Sequence, residues 1–149
     1  MGKQHIEITQ LFNAPVDTIF NILTDHEAFG QLIKAKIKRV VDSRDENKNG
    51  LGSVRRIKAF GAPAFEETVI AFEPDRLMVY QISKGGPIKN HSGRMEFFKD
   101  QGGTRVNYTI DFEPKTPFVF LGSILKKALE KSLGNGLKRL SDQYAAGDL

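Results

Sequence analysis

Apolar residues recur at two periods along this chain, and each change of period marks a new element. Residues 4–13 alternate, with Ile6, Ile8 and Phe12 on one side, as a half-buried strand does. After Ala14 the spacing lengthens, and Val16, Ile19, Phe20 and Leu23 form the stripe of a short helix. Pro15 suits its first turn, where a missing N–H costs nothing, and Asp17 lies near its positive end. Asp25 is placed to cap a second short helix carrying Phe29, Leu32 and Ile33. Alternation then returns over about residues 36–43, 53–60, 65–72, 77–83, 90–99 and 104–112. A polar loop at 44–52 and turns rich in Gly, Pro and Asp separate these strands. Toward the end Leu121, Leu125, Ala128, Leu129, Leu133, Leu137, Leu140 and Tyr144 recur every three or four residues. They predict a long helix over 117–144, with Thr116 as its cap and Pro117 in its first position. About 28 residues of helix span roughly 42 Å, enough to cross a sheet. Gly134 and Gly136 interrupt the stripe, each costing ~1 kcal/mol against Ala. They predict either a kink or local break, or room left for a ligand.

Short connections between consecutive strands imply antiparallel pairing. The expected class is therefore α+β: a seven-stranded curved antiparallel sheet around a long C-terminal helix, with two short helices after the first strand. A helix laid on such a sheet can leave a cavity, and function is expected there. The 149 residues fit one domain spanning 1–149. The chain has no Cys, which removes disulfides, thiolate catalysis and Cys-bound zinc and fits a reducing cytoplasm. No apolar run approaches the ~20 residues needed to span a bilayer, so stable membrane insertion is not expected. The net charge is +4, but 22 basic residues are interleaved with 18 acidic ones. That mixture reads as a solvated surface. The basic cluster Lys34, Lys36, Lys38 and Arg39 lacks interleaved aromatics, so nucleic acid is not an expected partner. The three His residues, His5, His26 and His91, have no metal-type spacing, and neither a metal nor a cofactor is expected. No nucleophile elbow, phosphate loop or dinucleotide fingerprint is present.

Several stretches in order resemble one superfamily. They are Ala14-Pro15-Val16-Asp17-Thr18-Ile19-Phe20 with Leu23-Thr24-Asp25, then Gly52-Ser53-Val54-Arg55-Arg56. Phe72-Glu73-Pro74-Asp75-Arg76-Leu77 and Gly102-Gly103-Thr104-Arg105-Val106 follow. Together they make the whole chain similar to the START-like, or SRPBCC, superfamily of the birch pollen allergen. Within it the chain most resembles the bacterial polyketide cyclase/dehydrase family. The resemblance implies the helix-grip fold. It does not choose among lipid carriers, receptors, cyclases and chaperone activators. Gly61, Ala62 and Pro63 are similar in position to the gate loop of plant abscisic-acid receptors, and Gly85, Gly86 and Pro87 to the latch. The receptors' latch sequence is absent here. The two loops are expected to be neighbouring hairpin tips that control ligand access.

Alternation assigns inner faces. Val106, Tyr108, Ile110 and Phe112 share one, and His91, Gly93, Met95 and Phe97 the next. Leu77, Val79 and Gln81 form another. For the two remaining strands alternation is ambiguous, and the resemblance implies Phe65, Glu67, Val69 and Ala71 beside Arg55, Ile57 and Ala59. The expected ligand-binding residues are Arg55, Ile57, Glu67, Val79, Gln81, His91, Met95 and Tyr108, with Leu129, Leu133 and Gly136 from the helix. Arg55 and Glu67 read either as a structural pair or as an anchor for a ligand carboxylate or hydroxyl. His91 and Glu67 are the candidates for proton transfer.

Three readings follow. The first is a binding protein for a small hydrophobic ligand of lipid, polyketide or isoprenoid type, acting as a monomer or weak homodimer. It requires a cavity of about 300 Å³ or more. The second is a metal-free cyclase or dehydratase in which His91 or Glu67 moves a proton and Arg55 or Tyr108 steadies an enolate. The third is a protein-interaction module, which requires an exposed apolar patch of several hundred Å².

Overall fold

In a computed structural model, described for residues 2–59, 63–115 and 118–147, the expected elements appear in the expected order. They are β1 (Gln4–Phe12), α1 (Val16–Thr24), α2 (His26–Ile33), β2 (Lys36–Val41), β3 (Val54–Lys58), β4 (Phe65–Glu73), β5 (Leu77–Lys84), β6 (Ile88–Asp100), β7 (Gly103–Pro114) and α3 (Gly122–Gly147). A short 3₁₀ turn over Phe118–Leu121 leads into α3. The seven strands form one curved antiparallel sheet in the order β1-β7-β6-β5-β4-β3-β2. β1 and β2 are thus its two edges.

Local chemistry sets the element ends. Asp25 Oδ1 accepts from the Ala28 amide at 3.1 Å and starts α2. Lys34 ends α2 in the left-handed region at φ 60°. Pro15 stands just before α1 as its N-cap, one place earlier than expected. The predicted cap and first turn at Thr116 and Pro117 lie outside the described residues.

The core lies between the sheet's inner face and the helices. Phe20 of α1 packs edge-on to Phe97 at 4.9 Å between ring centroids and tilts against Phe72 at 5.2 Å. Leu133, Leu137 and Leu140 of α3 are buried. Ser141 Oγ ties the far end of α3 to the Leu11 carbonyl of β1 at 2.8 Å. Contrary to the expectation of a local break, α3 runs as one helix through Gly134 and Gly136. A Cβ on Gly136 would come within 3.1 Å of the Leu32 carbonyl of α2. The residue is small because two helices meet there. Ser132 Oγ and Arg139 Nη2 reinforce that junction through the Ile33 and Leu32 carbonyls. No described helix is long and apolar enough to cross a membrane.

Candidate functional site

Sheet, α2 and α3 enclose a cavity of about 150 Å³. This falls short, by half, of the ~300 Å³ that the ligand-binding reading required, because large side chains fill the remainder. Tyr108 and Phe112 of β7 are about 1% exposed and project into the space from one side. Phe29 of α2 and Leu125, Leu129 and Leu133 of α3 close it from the other. The wall is almost wholly apolar, with one polar cluster set into it.

Arg55 of β3 is the centre of that cluster and is 1% exposed. Glu67 of β4 lies directly across from it in the ladder. Arg55 Nε and Nη2 both donate to Glu67 Oε1, at 2.9 and 2.8 Å. The guanidinium also lies over the Tyr80 ring at 4.4 Å and the Phe29 ring at 5.3 Å. Burial is the largest influence and opposes its charge, but the Glu67 carboxylate, Tyr80 and Tyr108 together outweigh it and raise its pKa. Arg55 Nη1 is buried with no hydrogen-bond partner among the described residues. The Tyr108 hydroxyl lies beside the guanidinium, whose charge and hydrogen bonding hold back part of the rise in its pKa.

The Tyr80 and Tyr108 hydroxyls hydrogen-bond to each other. Burial pushes Tyr108 up to about 12 and Tyr80 well above its ordinary value. Both therefore remain protonated at neutral pH. Two hydroxyls sharing one hydrogen bond leave one O–H proton over. His91 of β6 sits beside Tyr80, 5.5 Å between ring centroids. Its Nδ1 accepts from the Ile82 amide at 3.0 Å, which leaves the ring proton on Nε2. Nε2 faces Glu67 Oε2 at 3.6 Å. Burial, reinforced by Arg55 and opposed by Glu67, lowers the His91 pKa, so the ring is neutral near pH 7.

The structure brings Arg55, Ile57, Glu67, His91, Tyr108, Leu129 and Leu133 to this wall as expected. It does not bring Val79, Gln81, Met95 or Gly136. The inner face of β5 carries Met78, Tyr80 and Ile82; Gln81 is exposed, and Val79 lies on the opposite parity. Both parities of that strand begin with apolar residues, so alternation alone was a weak guide. Met95 is fully buried but packs in the core below the cavity, across from Met78 and Tyr108. Gly136 serves the α2–α3 junction instead. Sequence reasoning missed Tyr80, and its signal is Gly93. The two are ladder partners, and a Cβ on Gly93 would sit 2.2 Å from Tyr80 Cζ. The glycine leaves space for the ring.

Of the expected gate residues, Gly61 and Ala62 lie outside the described residues. Pro87 lines the cavity. Gly85 and Gly86 adopt φ of 78° and 84°, and a Cβ on Gly85 would lie 3.3 Å from the Ala64 carbonyl. The two hairpin tips are therefore adjacent where they are described. Among the described residues, no three His, Asp or Glu side chains converge as a metal site.

The family described as polyketide cyclase / dehydrase and lipid transport matches residues 3–145. A comparison with curated proteins finds no match. Solved structures share the fold at low identity. The Zhui aromatase/cyclase from Streptomyces superposes with a TM-score of 0.75 at 18% identity, covering 97% of this chain and 98% of that one. Truncated norcoclaurine synthase from Thalictrum flavum gives 0.68 at 12%, covering 93% and 92%. Ara h 8.0201 gives 0.67 at 18%, covering 97% and 99%. At these identities the structures speak for the helix-grip architecture alone, whereas the family match spans nearly the whole sequence: the chain belongs to the polyketide cyclase / dehydrase and lipid transport family.

Proposed function

We propose that this protein binds a small, single-ring apolar molecule that carries an acceptor oxygen. The observation that carries the reading is the donor excess in the cavity wall. Arg55 Nη1 has no hydrogen-bond partner among the described residues, and the tyrosine pair has one O–H to spare. No acceptor in the cluster lacks a donor in the same way, apart from Glu67 Oε2, which faces His91. A carbonyl or phenolic oxygen complements that wall, and an alkane does not. The cavity's ~150 Å³ suits one benzene-sized ring, since apolar cavities of about that volume take up benzene. A long lipid tail or a fused polyketide exceeds it.

The test is a shape-matched pair. Acetophenone is expected to bind about tenfold or more tighter than α-methylstyrene in calorimetry, since a buried hydrogen bond to a charged donor is worth about 1.5–3 kcal/mol. Equal affinities, or no binding of either, would overturn the reading.

A second reading, a cyclase- or dehydratase-like reaction, draws on the same donors. An oxygen held by Arg55 is where enolate charge would develop. The base is what weighs against it. The His91 lone pair is taken by the Ile82 amide, and Glu67 is committed to Arg55 through Oε1. Deuterium exchange at the acetophenone methyl group, if catalysed equally well by His91→Ala, would remove His91 from that reading.

A further inference from the structure

The sheet is split on one side of the cavity. β5 and β6 form a ladder only from Leu77↔Glu96 to Tyr80↔Gly93. Beyond Tyr80, β5 continues against β4, pairing as far as Lys84, while β6 begins against β7 at Ile88. No ladder pair joins the two strands there. A bulge in β6 between Lys89 and Ser92, with Asn90 at φ 51°, turns His91 into the gap. The hydrogen bond from the Ile82 amide to His91 Nδ1 stands where a ladder bond is missing.

Outside the split lies a cleft of about 280 Å³. It shares Ile82, Ile88 and His91 with the cavity, so these three side chains are the partition between them. The cleft's far side is cationic. Lys84, Lys89 and Lys115 line it and are exposed. Among the described residues none of the three has a carboxylate within 4.0 Å. Of the acids at the ladder positions opposite Lys84 and Lys89, one is neutralised by an arginine and the other is held by the neutral amide of Asn90 at the cleft. Glu66 pairs with Arg56 at 2.8 Å, and Glu113 accepts from Asn90 at 2.7 Å.

We propose that the β5–β6 split is a side portal plugged by His91, and that Lys84, Lys89 and Lys115 form an anion subsite at its outer end. The ligand class this selects is an amphiphilic acid: an apolar ring in the cavity joined by a short chain to a carboxylate or phosphate in the cleft. This rests on the cavity binding a ring, and adds the head group and the route. A single exposed lysine contributes little, but three unpaired ones around one cleft act together.

The test compares 3-phenylpropionate with 3-phenylpropanamide, equal in size and differing by one charge. At low ionic strength the acid is expected to bind about tenfold tighter. The preference should shrink in 0.5 M salt, as screening requires. It should vanish in the Lys84→Gln, Lys89→Gln, Lys115→Gln triple variant while the amide binds as before. Equal binding of acid and amide to the unaltered protein would overturn the subsite and leave the cavity reading standing. So would a preference that survives the triple variant, which would place the charge at Arg55. Failure of both probes to bind would remove the cavity reading and this one with it. His91→Ala should speed association of both probes; unchanged association rates would overturn the portal.

Discussion

His26 is held neutral by its surroundings. It begins α2, is fully buried, and bonds through Nε2 to Ser53 Oγ at 2.9 Å. Burial, with Arg55 and Arg39 nearby, lowers its pKa to about 3. In the unfolded chain the same ring titrates near 6.5. Between those values the unfolded state binds a proton that the native state refuses, so stability falls as pH drops from about 6.5 toward 3. The full effect is on the order of 4–5 kcal/mol. His91 contributes with the same sign. His26→Gln is expected to flatten the urea-midpoint profile between pH 6.5 and 4.5. A variant profile as steep as the original would assign the acid sensitivity to other groups. His26 was invisible as a buried residue in the sequence, because an imidazole at a helix start reads equally well as exposed. Its burial depends on the 44–52 loop, where Asn49 Oδ1 accepts from the His26 amide, and no local pattern reports that contact. Arg55, Glu67 and Tyr108 were legible as a cluster, since strand alternation and the family likeness put them on one wall. The donor left over at Arg55 Nη1 was not, because it depends on how Glu67 takes two other N–H groups on one oxygen.

Elements were read well where the period was clean and less well where both parities were apolar. β7 alternates without ambiguity, and its inner face is as expected. β5 was assigned the wrong face because Leu77 to Tyr80 is apolar throughout. Exposed Gln81 and Ser83, both odd-numbered, were the available signal. The glycines of α3 separate into two kinds. A Cβ on Gly134 meets nothing within 4 Å, while one on Gly136 meets Leu32 O at 3.1 Å and Ile33 Cγ2 at 3.2 Å. Gly134→Ala is therefore expected to stabilise by up to about 1 kcal/mol from helix propensity alone. Gly136→Val should destabilise by about 1–3 kcal/mol, as overpacking of a tight contact does. Urea denaturation of both variants is the measurement. A Gly136→Val protein as stable as the Gly134→Ala one would mean that α2 and α3 are not held at the spacing seen.

At the scale of the whole molecule, an open sheet has two edges, and an edge strand is a template for another chain. β2 is the edge beside α2. Its Arg39 amide points outward and is taken by Glu27 Oε2 at 2.7 Å, while Glu27 Oε1 holds Arg39 Nη1 at 3.3 Å. Lys36 and Lys38 stand exposed on either side of buried Ile37. The basic cluster set aside as a nucleic-acid signal thus lies along the edge where a second sheet would attach. One carboxylate stoppers the middle of that edge, and the lysines repel a second copy. Protection of the β2 edge is therefore expected to turn on a side chain of α2, the helix whose Phe29 lines the cavity. Glu27→Ala combined with Lys36→Thr and Lys38→Thr should leave the cavity intact yet make concentrated solutions seed thioflavin-positive aggregates. If such solutions stay clear and monomeric, the edge is protected by something other than this lock.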